Sequence, residues 1–217
     1  ERLQGLAARG GLRRQYGHLI DVMATVVDIT GAAYAKALSL PDADGKIRTL
    51  ADFNGKVIVV FFGFAQCPDV CPSTLAEIAE VRTKLGAAGA KVQPVFITVD
   101  PERDTAPVLK DYVRPFGADV VALRGTLEQT QAVAREFKVF FSKVPGKTEG
   151  SYTIDHTAGS FVFDPKGQVR LFVRYGGGVE SWLDDLKLLL AEARRPAPGR
   201  SQADFRYPIG GEPSELG

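Results

Sequence analysis

Residues 57–62 read Val-Ile-Val-Val-Phe-Phe, an unbroken apolar run of β-branched and aromatic side chains. A strand with one wet face alternates polar and apolar residues. A run without alternation suits a strand covered on both faces, inside a largely parallel sheet with helices packed against it. A helix is expected next: Leu75, Ile78, Ala79, Arg82 and Leu85 fall near helical spacing. Pro72 suits its first turn, and Thr74 and Glu77 have the spacing of a capping box. Residues 95–99 give a second strand, with Pro94 placing its start at an edge or where the chain comes into the sheet.

The alternation continues. Leu109, Tyr112, Val113 and Phe116 recur at i, i+3, i+4 and i+7, residues 120–123 suit a short strand, and Thr126 with Gln129 opens a helix carrying Val133 and Phe137. Residues 160–163 and 169–173 flank Asp164-Pro165-Lys166-Gly167, a type I turn sequence that predicts an antiparallel hairpin. Trp182, Leu183, Leu186, Leu189 and Leu190 stripe a final helix. Asp44-Gly45 predicts a further hairpin before the first core strand. Parallel crossovers followed by a terminal hairpin and helix make an α/β, thioredoxin-like plan: a central mixed sheet flanked by helices, plus an N-terminal hairpin. Residues 36–194 are expected to form this domain. Residues 1–35 read as an extension with no assignable role. Residues 195–217, with Pro196, Pro198, Pro208 and Pro213 among glycines and charges, read as a flexible tail.

The formal charge of +1 spreads acids and bases along the chain and leaves no basic stripe for nucleic acid. No run approaches the roughly 18 apolar residues of a spanning helix. The best candidate, 19–29, carries Asp21 and Asp28, so the chain as given is expected to be soluble. It begins at Glu1 rather than Met, so an upstream signal or anchor could have been removed.

The two cysteines, Cys67 and Cys71, exclude a disulfide framework and read as chemistry. They lie after the first core strand and at the start of its helix, the carboxyl end of a strand where α/β sites gather. The helix N-terminus favours thiolate at Cys71. Two readings stay open on spacing alone: thiol–disulfide exchange, or capture of a soft metal. The chain has two histidines. His156 falls immediately before the strand at 160–163, in the loop that packs against the cysteine corner in thioredoxin-like folds. Thiol oxidoreductases of this fold place a cis-proline in that loop, and Ala158 stands at the matching place here. His156 and the absent proline favour a metal. His18 carries no functional reading. The carboxylates of Asp100-Pro101-Glu102-Arg103-Asp104-Thr105 read as a turn and helix cap rather than as catalytic groups.

The segments 61–64 (Phe-Phe-Gly-Phe), 67–72 (Cys-Pro-Asp-Val-Cys-Pro), 99–105 (Val-Asp-Pro-Glu-Arg-Asp-Thr) and Asp155-His156 resemble, in order and spacing, the Sco/SenC family of copper-binding assembly proteins. The resemblance covers residues 30–190. It implies one copper ion held by Cys67, Cys71 and His156, and a role in building the dinuclear copper site of cytochrome c oxidase. The oxidase subunit carrying that site would be the partner, with another copper chaperone or a thiol reductant upstream. It also implies a location outside the cytoplasmic membrane, on an anchor that this chain does not show. Ala65-Gln66 replaces the family's more usual Thr-His before the first cysteine, a change of lining and not of ligand. The donor chemistry agrees: two thiolates and an imidazole suit Cu(I), and the imidazole with an open position suits Cu(II). Structural zinc takes four protein ligands, and there is no third cysteine. Asp69 and Asp155 are expected to tune charge or to orient His156. A thiol–disulfide oxidoreductase or thiol peroxidase on the same fold is the competing reading, and a copper or redox sensor would use the same residues.

Overall fold

In the computed structural model of the protein, residues 38–192 are described; the expected extension 1–35 and tail 195–217 lie outside them. In chain order the elements are β1 (Ser39–Pro41), β2 (Ile47–Thr49), β3 (Val57–Gly63), α1 (Val70–Lys84), β4 (Val92–Thr98), α2 (Ala106–Val113), β5 (Val121–Leu123), α3 (Leu127–Glu136), β6 (Phe141–Pro145), β7 (Tyr152–His156), β8 (Gly159–Phe163), β9 (Val169–Arg174) and α4 (Gly178–Glu192). Short 3-10 turns join several of them.

The apolar run becomes β3, buried along its whole length. It sits in the middle of a five-stranded sheet of order β5-β4-β3-β8-β9. β3, β4 and β5 run parallel, β8 runs antiparallel to β3, and β9 runs antiparallel to β8. Helices cover both faces, which is why β3 has no polar face to present. On one side Val57, Val59 and Val162 meet Ile78 and Val81 of α1 and Trp182, Leu183 and Leu186 of α4. On the other, Phe137 at the end of α3 stands edge-on to Phe62, Phe161 and Phe163, with ring centroids 5.2–6.0 Å apart. Burying each such side chain contributes about 1.5–3 kcal/mol. This is a thioredoxin-like α/β fold.

The expected hairpins form. β1 and β2 pair around the Asp42–Gly45 turn, and β8 and β9 pair around Asp164–Gly167, where Asp164 Oδ1 accepts the amides of Lys166 and Gln168. Gly167 takes φ 76°, a left-handed turn conformation that favours glycine. α3 carries the expected reciprocal cap between Thr126 and Gln129.

Three expectations change. α1 starts earlier, after Asp69, so Thr74 is a turn inside it and its hydroxyl donates to the Val70 carbonyl at 2.8 Å rather than capping the helix. Glu77 instead accepts the Trp182 indole N–H. β4 begins at Val92 and is an interior strand, so Pro94 marks no sheet edge. The ladder tolerates it because β5 pairs only with Val95–Ile97; beside Pro94 the Gln93 side chain donates to the Asp119 carbonyl (2.7 Å) and the Pro94 carbonyl (3.1 Å). Finally, β6 and β7 form a separate two-stranded antiparallel sheet between α3 and β8, with Phe141 opposite His156. The loop expected around His156 is thus the end of a strand.

Candidate metal centre

β3 ends at Gly63, and the chain turns through Phe64–Pro68 into α1. Gly63 has to be glycine for room: a Cβ there would stand 2.8 Å from Cys71 Sγ and 2.9 Å from the rings of Phe61 and Phe96. Cys67 is half-buried and Cys71 buried; both are free thiols. The Cys71 amide, in the first turn of α1, donates to Cys67 Sγ at 3.4 Å, so the helix N-terminus faces the more exposed sulfur.

His156 closes the group. Its Nε2 lies 3.7 Å from Cys71 Sγ, and the three ligand atoms of Cys67, Cys71 and His156 all fall within 4.8 Å of one another. The ring stands edge-on to Phe64 (5.9 Å, 85°) and Phe61 (6.2 Å, 70°). Nδ1 is 3.1 Å from the Thr157 carbonyl. A carbonyl only accepts, so Nδ1 carries the hydrogen and the Nε2 lone pair points to the sulfurs. Thr157 is itself held by Phe140, its amide donating to the Phe140 carbonyl and its hydroxyl accepting the Phe140 amide.

Burial sets the protonation states. It lowers the pKa of His156 below its ordinary 6.5, against the opposing effects of the Thr157 bond and the Asp155 charge, so the imidazole is neutral and available as a ligand. Burial also raises the Cys71 pKa well above its ordinary 9.0, with the Phe64 amide opposing and Cys67 and Asp104 adding to the rise. The thiolate expected from the helix dipole is therefore not the resting form of Cys71: desolvation outweighs the dipole, and a metal has to displace a proton.

Asp69 and Asp155 are exposed. Asp69 stands before the first turn of α1 and accepts from Ser73 and Tyr175. Asp155 influences His156 through its charge, while the hydrogen bond that orients the ring goes to Thr157. The carboxylate that touches the cysteine loop is Asp104. Its side chain is fully buried, and Oδ2 accepts the Ala65 amide at 3.0 Å and the Thr98 hydroxyl at 2.5 Å. Thr105, not Asp104, occupies the cap position of α2. The Asp104 role was missed because a carboxylate beside a helix start looks like a cap, and its partners are non-local; the available signal was the position of 99–105 at the same sheet end as the cysteines.

Two soft sulfurs and a neutral imidazole, close enough to share one ion, fit a soft or borderline metal such as copper. The SCO1/SenC family model matches residues 27–191. The chain belongs to the SCO1/SenC family. Among SCO1/SenC relatives, the mitochondrial SCO2 homologue of Bos taurus is 35% identical over 158 residues, covering 72% of this chain and 59% of its own length. The chain spans little more than half the length of the curated relatives it matches. The copper-bound structure of ScoI from Bradyrhizobium japonicum is 38% identical, with TM-score 0.64 over 70% of this chain and 96% of its own. BsSco, described as a member of the Sco family of cytochrome c oxidase assembly proteins, shares the fold at 22% identity and TM-score 0.54, covering 70% of this chain and 91% of its own.

Proposed function

We propose that this SCO1/SenC chain takes up one copper ion through Cys67, Cys71 and His156 and passes it to the dinuclear copper site of cytochrome c oxidase. The observation that carries the reading is the convergence of two sulfurs and one imidazole Nε2 within 4.8 Å at the carboxyl end of β3. Three protein ligands leave room for an acceptor's ligand to enter, and the half-buried Cys67 leaves a side of the site in reach of one. A copper-bound relative supports the choice of metal, and the resemblance to assembly proteins supports the recipient. No helix among the described residues is long and apolar enough to cross a membrane; the family resemblance supports work outside the cytoplasmic membrane, with anchorage supplied elsewhere in the whole protein.

The test is native mass spectrometry of reduced protein exposed to limiting Cu(I). One copper per chain is expected, and Cys67→Ser and Cys71→Ser should lose tight binding, because a hydroxyl is a hard, protonated ligand at neutral pH. Unchanged retention in Cys71→Ser would refute the site.

The asymmetry of the cysteines supports a second use of the same dithiol. Cys67 is the reachable thiol and Cys71 the buried one, the arrangement of an attacking and a resolving thiol. Cys67 thiolate attacks an acceptor disulfide and releases one acceptor thiol; Cys71 then displaces the other, leaving a Cys67–Cys71 disulfide and a reduced acceptor. His156→Ala separates the two uses. Disulfide exchange should persist in the variant, while the Cu(II) form should lose its imidazole-nitrogen signature in electron paramagnetic resonance.

A further inference from the structure

The ligands come from two pieces of chain, and only the short step from His156 to β8, which pairs with β3, ties the histidine to the main sheet. Cys67 and Cys71 belong to the corner after β3; His156 ends β7, in a hairpin outside the five-stranded sheet. We propose that residues 100–104, between β4 and α2, are the positioning device of the metal centre, holding the cysteine corner with one end and the histidine hairpin with the other. The proposal rests on the copper reading given above.

At one end, Asp104 fixes the cysteine corner through the Ala65 amide and is braced by Thr98. At the other, Arg103, Asp100 and Tyr152 close a ring of contacts on the first residue of β7. Arg103 Nε pairs with the Asp100 carboxylate, and Arg103 Nη1 donates to the Tyr152 carbonyl at 2.9 Å. The Arg103 guanidinium lies 3.7 Å from the Tyr152 ring centroid, and the Tyr152 hydroxyl donates to Asp100 Oδ1 at 2.9 Å. Glu102 reaches β6 through Lys143 Nζ at 2.6 Å, and Lys143 also lies over the Tyr152 ring. The two ends meet at Phe64, whose ring is 6.0 Å from the guanidinium and edge-on to His156.

Burial makes this more than a surface tie. Asp100 is 1% exposed and Arg103 22%, so the pair is shielded from solvent far better than an exposed ion pair. A flat guanidinium can pair with a carboxylate, donate to a carbonyl and stack on a ring at once; an ammonium cannot. The consequence falls on the imidazole. Cu(I) is satisfied by two sulfurs, whereas Cu(II) needs the nitrogen in place. Arg103 is thus a positioning residue for His156 and takes no direct part in coordination.

The experiment uses Arg103→Gln, alone and with His156→Ala. Expected are a folded protein, one Cu(I) per chain, a Cu(II) affinity lower on the order of tenfold, and weakened nitrogen coupling in the Cu(II) spectrum. In the metal-free protein the nuclear Overhauser contact between the His156 and Phe64 rings should be lost. In the His156→Ala background Arg103→Gln should cost nothing further, because its route of action is already gone. Arg103→Lys, which keeps the charge beside Asp100 and loses the fork, should fall between parent and Arg103→Gln. If Arg103→Gln does not fold, Arg103→Lys takes its place, and an unchanged nitrogen coupling there overturns the proposal. An equal loss of Cu(II) affinity in both backgrounds, or an unchanged ring contact in the metal-free variant, also overturns it. A parent protein that takes up no copper removes the proposed function, and the metal-free ring contact then decides positioning by itself.

Discussion

At the scale of single residues, the centre is tuned by burial. The Cys71 proton has to leave when a metal binds, so Cu(I) affinity should rise with pH by up to about tenfold per unit for each proton displaced. Because the Cys71 pKa lies above 9.0 in the folded chain, the slope should continue past the pH at which an ordinary thiol has already ionised. A competition titration against a Cu(I) chelator between about pH 7 and 10.5 checks this; a profile that is flat, or that levels off near pH 9, contradicts it. The same shift acts on stability. Above about pH 9 the unfolded thiol ionises and the buried one does not, so metal-free stability should fall as pH rises, and Cys71→Ser should remove that part of the fall. Gly63 is tested by Gly63→Ala. The added methyl has no space beside Cys71 Sγ and the Phe61 and Phe96 rings, so a loss of about 1–3 kcal/mol is expected in denaturant unfolding, together with weaker copper binding.

At the scale of elements, the β6–β7 hairpin is expected to open more readily than the five-stranded sheet. Its side chains are lightly buried: Ser142 and Phe141 are half-buried and Lys143–Pro145 exposed, while Ile154 is the buried residue of β7. Amide hydrogen exchange in the metal-free protein should therefore be faster at Lys143 and Ile154 than in β3, and Cu(II) should slow it in the hairpin while leaving β3 unchanged. Equal protection of both elements would contradict this. The same weakness explains what the sequence showed and what it hid. Residues 57–62, the Asp164–Gly167 turn and the Trp182–Leu190 stripe each carry a periodicity that burial imposes, and all three appear as expected. A short, half-wet hairpin carries no such pattern, so β6 and β7 were not legible. In the site, Cys67 and Cys71 stood out through their spacing, and His156 through its place before β8. Asp104, Arg103 and Tyr152 did not, because their contacts span 39 to 52 residues and no local rule reports them.

At the scale of the whole molecule, the fold separates stability from chemistry. The α1–α4 layer lies on one face of the sheet, with Leu186 1% exposed among Val57, Val59 and Trp182, and the proposed ligands gather at the sheet's end. Leu186→Ala should cost about 2–5 kcal/mol in unfolding free energy while leaving the copper stoichiometry and the Cu(II) spectrum as in the parent. A changed spectrum would show that the layers are coupled. The path of the chain adds one more consequence. Cys67 and Cys71 are four residues apart, but His156 is 85 residues beyond Cys71. An ion held by the two sulfurs alone is a local staple that an unfolded chain can keep, and it lends the fold little. An ion that also takes the imidazole cross-links the chain across β4, α2, β5, α3 and the β6–β7 hairpin, and restrains a long loop as a disulfide would. The oxidation state of the copper would then set how firmly the chain is tied together, Cu(II) bracing the molecule and Cu(I) leaving it loose.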